Sequence, residues 1–128
     1  MPAEPILIVD DNLINLTMVT ALLEGEGYRV RTASDAEEAL RVLEKYNPRL
    51  ILMDLQLPGM DGLELTRRLK SNPATQDIVV LAVTAYAMKG DEQKALEAGC
   101  DGYVPKPIDT RSFPGIVSKH LSIHAGRE

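Results

Sequence analysis

Three runs of the chain are apolar on every residue: Ile6-Leu7-Ile8-Val9, Leu50-Ile51-Leu52-Met53 and Ile78-Val79-Val80-Leu81-Ala82-Val83. A strand without polar alternation must be covered on both faces, which places each run inside a parallel sheet between two helix layers. Two other strands read differently. Tyr28-Arg29-Val30-Arg31-Thr32 alternates, with both arginines on a wetter face, and Gly102-Tyr103-Val104 is short, so these two belong at the sheet edges. Helical spacing fills the intervals. After Asn12, residues Leu16, Val19, Thr20 and Leu23 share a face that stops at Gly25-Glu26-Gly27. Ser34-Asp35-Ala36-Glu37 reads as a capping box for a helix with Ala36, Ala39, Leu40 and Leu43 inward, ended by Asn47-Pro48. Asp61 caps a third helix through Leu65 and Leu69, closed by Ser71-Asn72-Pro73. A fourth, from Met88 to Ala98, is poor in large apolar residues and is expected to be the least firmly held. The last puts Phe113, Ile116, Val117, His120 and Leu121 on one face, although Pro114-Gly115 unsettles its first turn.

Strand and helix thus alternate five times, with no internal repeat, low-complexity tract or interdomain linker. The pattern predicts a single α/β domain over residues 1–128, a flavodoxin-like (βα)5 doubly wound parallel sheet with right-handed crossovers. Continuous strands in the middle and weaker ones outside give the order 2-1-3-4-5, whose winding reverses between the first and third strands.

Composition narrows the function classes. The 128 residues are 45% hydrophobic, enough for one core, and the formal charge is −5. Its 14 basic residues are scattered, which argues against direct DNA binding or attachment to an anionic membrane. No apolar run approaches the ~20 residues of a membrane span, and no signal peptide is apparent. The single Cys100 excludes an intramolecular disulfide and is expected to be a small buried residue. A cytoplasmic address is the expectation.

In such sheets ligands bind beyond the carboxyl ends of the strands, where the winding reverses. Asp10 and Asp11 end the first strand, Asp54 the third and Thr84 the fourth, while Lys106 lies just past the fifth. All are predicted on one rim. Carboxylates 4 Å apart repel by about 4 kcal/mol per pair at an effective dielectric near 20, so the cluster calls for a cation. All-oxygen donors point to Mg²⁺ or Mn²⁺. Asp54 is then a candidate nucleophile toward phosphorus. Lys106 is a charge partner for the transferred phosphoryl group and the Thr84 hydroxyl a hydrogen-bond donor, with backbone N–H groups near Leu55 and Ala85 joining in.

These residues carry a family resemblance. The chain from about residue 5 to 122 resembles the receiver domain of two-component response regulators. The matching features are the strand ending Asp10-Asp11, Met53-Asp54 followed by Leu57-Pro58-Gly59-Met60-Asp61-Gly62, Thr84-Ala85, and Gly102-Tyr103 before Lys106-Pro107. The resemblance implies that Asp54 is the phosphoacceptor and that Asp10, Asp11, Asp54 and the Gln56 backbone carbonyl form the metal site. It further implies that Thr84 and Tyr103 are a switch pair, that Lys106 senses the phosphate, and that Lys106-Pro107 is a cis peptide. The start Asp10-Asp11-Asn12 with Asn15, and the run from Ala85 to Glu92, are most similar to stand-alone cell-division regulators of the DivK type and to receivers of hybrid kinases.

Three functions compete. The first is a phosphorylation switch, loaded by a histidine kinase or histidine phosphotransfer protein and read by a downstream protein effector through the face of the fourth helix, fifth strand and fifth helix. Its chemistry is limited to self-phosphorylation and self-dephosphorylation. The second is a Mg²⁺-dependent aspartyl-phosphate hydrolase, but such enzymes use Asp-x-Asp, and Gln56 occupies the place of the general acid. The third, a flavin carrier, needs a Ser/Thr/Gly-rich phosphate loop after the first strand, where Asp10-Asp11 would repel the cofactor. Taken singly, the site residues have plainer readings: Asp11 or Asn12 as a helix cap, Tyr103 as a core aromatic, Lys106 as a loop lysine. His120 and His124 lie four apart, without a third metal ligand nearby in sequence.

Overall fold

The computed structural model describes residues 4–57, 59–84, 89–106 and 108–125. Its elements are β1 (Pro5–Val9), α1 (Leu13–Gly25), β2 (Arg29–Ala33), α2 (Ala36–Leu43), β3 (Leu50–Asp54), α3 (Gly62–Ser71), β4 (Val79–Thr84), α4 (Lys89–Ala98), β5 (Gly102–Pro105) and α5 (Phe113–Ala125). All strand pairs are parallel, and the order is β2-β1-β3-β4-β5, as the hydrophobic pattern predicts.

Consecutive residues of the central strands feed two separate cores. Leu7, Val9, Ile51, Met53, Val80 and Ala82 face one side, with α2, α3 and α4, while Ile6, Ile8, Leu50, Leu52, Leu81 and Val83 face the other, with α1 and α5. This double covering is why these strands show no polar alternation. Each buried Leu or Ile side chain contributes about 1.5–3 kcal/mol of hydrophobic stabilisation. The edge strand β2 buries only Ala33 and leaves Arg29 and Arg31 exposed, in line with its alternating sequence.

Helix ends show where local signals act. At the end of α1, Gly27 takes φ +95°, and the N–H groups of Gly27 and Tyr28 donate to the Glu24 and Leu23 carbonyls. That paired bonding closes the helix, and the left-handed residue it requires is the predicted glycine. The cap of α2 is shifted by one residue from the expected capping box. Asp35, not Ser34, accepts the Glu38 N–H (2.8 Å), and Glu38 rather than Glu37 reaches back to accept the Ser34 N–H (2.6 Å). Ser and Asp are both good caps, and the burial of Ala36 and Ala39 selects the register. The same helix ends at Leu43, before Asn47-Pro48. In α5 the doubtful first turn is regular, because Phe113 is the first helical residue and Pro114 the second, where a missing N–H costs nothing. Among its described side chains α4 buries only Ala95 and Ala98. The expected start of that helix at Met88 lies outside the described residues.

Leu65 and Phe113 anchor the two cores and are fully buried. Leu65→Ala is expected to cost about 2–5 kcal/mol and Phe113→Ala about 3–5 kcal/mol, whereas Ile14→Ala on the exposed face of α1 stays within about 0.5 kcal/mol, all read from urea unfolding midpoints.

Candidate functional site

The register between β1 and β3 builds the site. Val9 lies opposite Met53, so the next residues, Asp10 and Asp54, emerge side by side at neighbouring strand tips. Adjacent strands run about 4.8 Å apart, close enough for the two side chains to meet. Both carboxylates are buried, Asp10 at 5% exposure and Asp54 at 2%. Asp11 is exposed, and one oxygen from each of Asp10, Asp11 and Asp54 lies within 4.8 Å of the others.

Each buried carboxylate is held by backbone. Asp10 Oδ1 accepts the Asn12 N–H (2.9 Å), Oδ2 lies 3.4 Å from the Asn15 side-chain amide, and the Asp10 N–H donates to Ala33 of β2. Asp54 Oδ1 accepts the Gln56 N–H at 3.0 Å. The Lys106 ammonium lies 3.2 Å from Asp54 Oδ2 and 3.7 Å from Asp10 Oδ2, and the Lys106 N–H donates to the Thr84 carbonyl at 2.8 Å. Burial pushes the Asp54 carboxyl above the ordinary carboxylate range, and the Asp10 charge adds to that. The Gln56 N–H and Lys106 oppose it.

Asp10, Asp11, Asp54 and Lys106 are therefore brought together. Thr84 is buried at the end of β4, two residues along from Ala82, which pairs with Tyr103 across the β4–β5 ladder. Thr84 and the half-buried Tyr103 thus share a sheet face, and Tyr103 packs on the core beneath α4. Leu55 departs from expectation: its N–H is already bonded to the Val83 carbonyl (3.1 Å), so the sheet consumes a donor that sequence position alone left free. Ala85 and the Lys106-Pro107 peptide lie outside the described residues. His120 packs against Gly102, and the His124 side chain is likewise outside them.

The supporting roles of three residues escaped the sequence reading. Asn12 and Asn15 steady Asp10, and only their spacing from the acid hinted at it. Gly62, at the start of α3, sits so close to the end of β3 that a Cβ there would overlap the Asp54 carbonyl oxygen and lie 2.9 Å from Leu55 Cα. Glycine lets the helix approach the strand tip. Cys100 is buried as expected, and its Sγ lies 3.8 Å from the equally buried Thr66 hydroxyl.

A rim of buried acids facing a lysine at the switch point of a 2-1-3-4-5 sheet defines a class. A model of the response regulator receiver domain matches residues 6–118, and the chain belongs to that family. Its members are phosphoacceptor switches in phosphorelay signalling. The polar-differentiation response regulator DivK of Brucella ovis is 40% identical over 116 residues, 91% of this chain and 94% of its own length. Among solved structures, a CheY-like receiver domain protein of Methanospirillum hungatei superposes with TM-score 0.91 at 32% identity, covering 98% of this chain and 99% of its own. The receiver domain of the sensor histidine kinase PA1611 of Pseudomonas aeruginosa, solved with magnesium in its active-site cleft, gives TM-score 0.85 at 33% identity, covering 94% and 98%.

Receiver domains bind Mg²⁺ at an acidic site, and the donors here fit it. All three groups offer carboxylate oxygen, no His or Cys is in the cluster, and exposed Asp11 leaves a side open to a hydrated ion.

The upward shift of Asp54 sets a pH signature. Because the folded protein holds this proton more tightly than the unfolded chain, stability falls as pH rises from the ordinary carboxylate range through the raised value. In chelator, Asp54→Asn should therefore melt above wild type at pH 7. The gap should close as pH drops below the Asp54 titration, as followed by thermal unfolding.

Proposed function

We propose that Asp54 accepts a phosphoryl group from a histidine kinase or histidine phosphotransfer protein, and that the modified domain changes which protein effector it binds. The observation that carries this is the buried Asp54 carboxylate at the end of β3, flanked by Asp10 and Asp11 and 3.2 Å from Lys106. A carboxylate oxygen of Asp54 forms a bond to phosphorus as the bond from phosphorus to the donor imidazole nitrogen breaks, leaving an acyl phosphate and a free histidine.

Asp10, Asp11, Asp54 and the Gln56 backbone carbonyl are the groups that would hold Mg²⁺ or Mn²⁺. When bound, the ion offsets the charge on the phosphoryl oxygens. Lys106 does the same from the opposite side, and it is already at the carboxylate before any phosphate arrives. The Thr84 hydroxyl donates to a phosphoryl oxygen. Lys106 is tied to β4 through the Thr84 carbonyl, so a shift of the lysine or of the hydroxyl is felt along β4 and by Tyr103 on the same face. That assigns output to the surface of α4, β5 and α5, where α4 is held by alanines and exposes Leu96.

Repeated turnover of phosphate esters is not part of this reading. Gln56 provides no acid for a leaving group, which limits the chemistry to acquiring and losing one phosphoryl group. Relatives named for polar differentiation support a role in cell-cycle control. The acidic chain, with no described helix long and apolar enough to cross a membrane, suits a cytoplasmic module acting through proteins and not through DNA or membrane insertion.

Leu13 and Ile14 support a protein donor. They are 75% and 79% exposed at the start of α1, directly after the residues that bound the acidic rim. An apolar pair beside a charged site fits the surface of an incoming helix.

Incubation with acetyl phosphate and Mg²⁺ should add one phosphoryl mass that is acid-stable and base-labile. Asp54→Asn should gain none, and Lys106→Ala should still bind Mg²⁺ while labelling more slowly. Labelling of Asp54→Asn to the wild-type level would place the chemistry elsewhere. A separate outcome concerns docking: Ile14→Asp should slow labelling by a histidine-phosphorylated protein at least about tenfold more than labelling by acetyl phosphate, the scale of a lost interface anchor.

A further inference from the structure

A basic cleft lies among the described residues, away from the phosphoacceptor rim. It occupies the outer flank of the sheet between β2 and α2, with a volume of about 330 Å³, and is lined by Arg31, Glu38, Arg41, Val42, Lys45 and Tyr46. Three cations thus share a space with one carboxylate. Glu38 is already engaged, since its Oε1 accepts the Ser34 N–H at 2.6 Å. Among the described residues, Arg31, Arg41 and Lys45 form no ion pair, although Arg49, Arg67, Arg68, Lys70 and Lys106 do.

The cleft also has a flat wall. The Arg31 guanidinium lies over the Tyr46 ring, 5.6 Å from its centroid, and the Tyr46 hydroxyl donates to the Arg29 carbonyl at 3.1 Å, which fixes the ring. In this cation–π contact a guanidinium keeps edge N–H groups available to a ligand. Arg41 lies in the last turn of α2 and Lys45 in the turn that follows its end at Leu43, where the Lys45 N–H donates to the Val42 carbonyl, and both line the cleft. A second cleft of the same volume shares Lys45 and Tyr46 but sets that lysine against Glu44 among Leu43, Ala74 and Ile78, and so has no net charge. Concavity is common to both; excess positive charge beside a stacking surface belongs only to the first.

We propose that the β2–α2 cleft is a binding site for a nucleoside-monophosphate-type anion, the planar ring stacking on the Arg31–Tyr46 pair and the phosphate held by Arg41 and Lys45. The volume suits a small molecule. The ring accounts for the aromatic wall, which a bare phosphate would not use, and the phosphate accounts for two cations gathered at the end of α2 and its following turn. The site is independent of Asp54, and ligand binding there adjoins the edge strand whose Ala33 carbonyl holds the Asp10 N–H.

The test is a titration of the full chain with adenosine and guanosine 5′-monophosphate in chelator, followed by amide chemical shifts. Adenosine, inorganic pyrophosphate and phosphatidylglycerol vesicles serve as comparison probes. The expected result is saturable binding of at least one nucleotide, tighter than about 1 mM, with shifts centred on residues 29–46 and affinity falling as salt rises. Arg41→Ala with Lys45→Ala should weaken it at least about tenfold. Arg31→Lys, which keeps charge but not planarity, should weaken nucleotide more than pyrophosphate. Acetyl phosphate labelling of each variant reports an intact fold and separates failure here from failure of the phosphoacceptor reading. No saturable nucleotide binding, shifts unmoved by the double variant, pyrophosphate binding as tightly as either nucleotide, or capture by vesicles alone would each overturn the proposal.

Discussion

Two like charges forced together by a strand register are the constraint on which this structure turns. Val9 pairs with Met53 in a parallel ladder covered by apolar side chains on both faces, so Asp10 and Asp54 have no freedom to move apart without disturbing both cores. Their repulsion at this spacing is about 4 kcal/mol at an effective dielectric near 20, and desolvation of Asp54 adds to the cost. Lys106 offsets part of it by reaching both carboxylates, and the Asn12 and Gln56 N–H groups take one oxygen each. What remains is a carboxylate held above its usual pKa, with negative charge in excess of positive. A site in that condition favours a divalent cation and gains from any change that redistributes charge around Asp54.

The surrounding architecture holds the acids in place while leaving one side free to respond. Behind Asp54, α3 begins at Gly62 in direct backbone contact with the strand tip, and Thr66 is buried one turn further along with its hydroxyl on the Gly62 carbonyl. In front, Lys106 is fastened to β4 through the Thr84 carbonyl, and Tyr103 lies on the same face two positions back. The side toward α4 is the lightly packed one, since its described side chains bury only Ala95 and Ala98. Among the described residues, support is rigid on the α3 flank and shallow on the α4 flank.

Charge is also sorted in space. The acids gather at the carboxyl ends of β1 and β3, whereas Arg31, Arg41 and Lys45 gather on the outer flank of β2 and α2. The net charge of −5 conceals both concentrations. An edge strand with polar alternation makes the second possible, because Arg31 of β2 stands opposite the buried Leu7 of β1, and only Ala33 of β2 is buried.

Periodicity by itself determined the five strands, their order and the rim where the chemistry gathers, because burial on both faces writes itself as unbroken apolar runs and an edge as alternation. It also determined which carboxylate ends the central strand. Only the tertiary structure decided how donors and acceptors are shared: the Leu55 N–H is taken by Val83, Asp35 caps α2 in place of Ser34, and Lys106 sits against Asp54 instead of in solvent. These outcomes depend on distances between elements far apart in the chain, which no local pattern encodes. Gly62 and the Arg31–Tyr46 cation–π contact belong to the same group. Each is a contact between an element and its neighbour in space, set by packing after the strands and helices are already chosen.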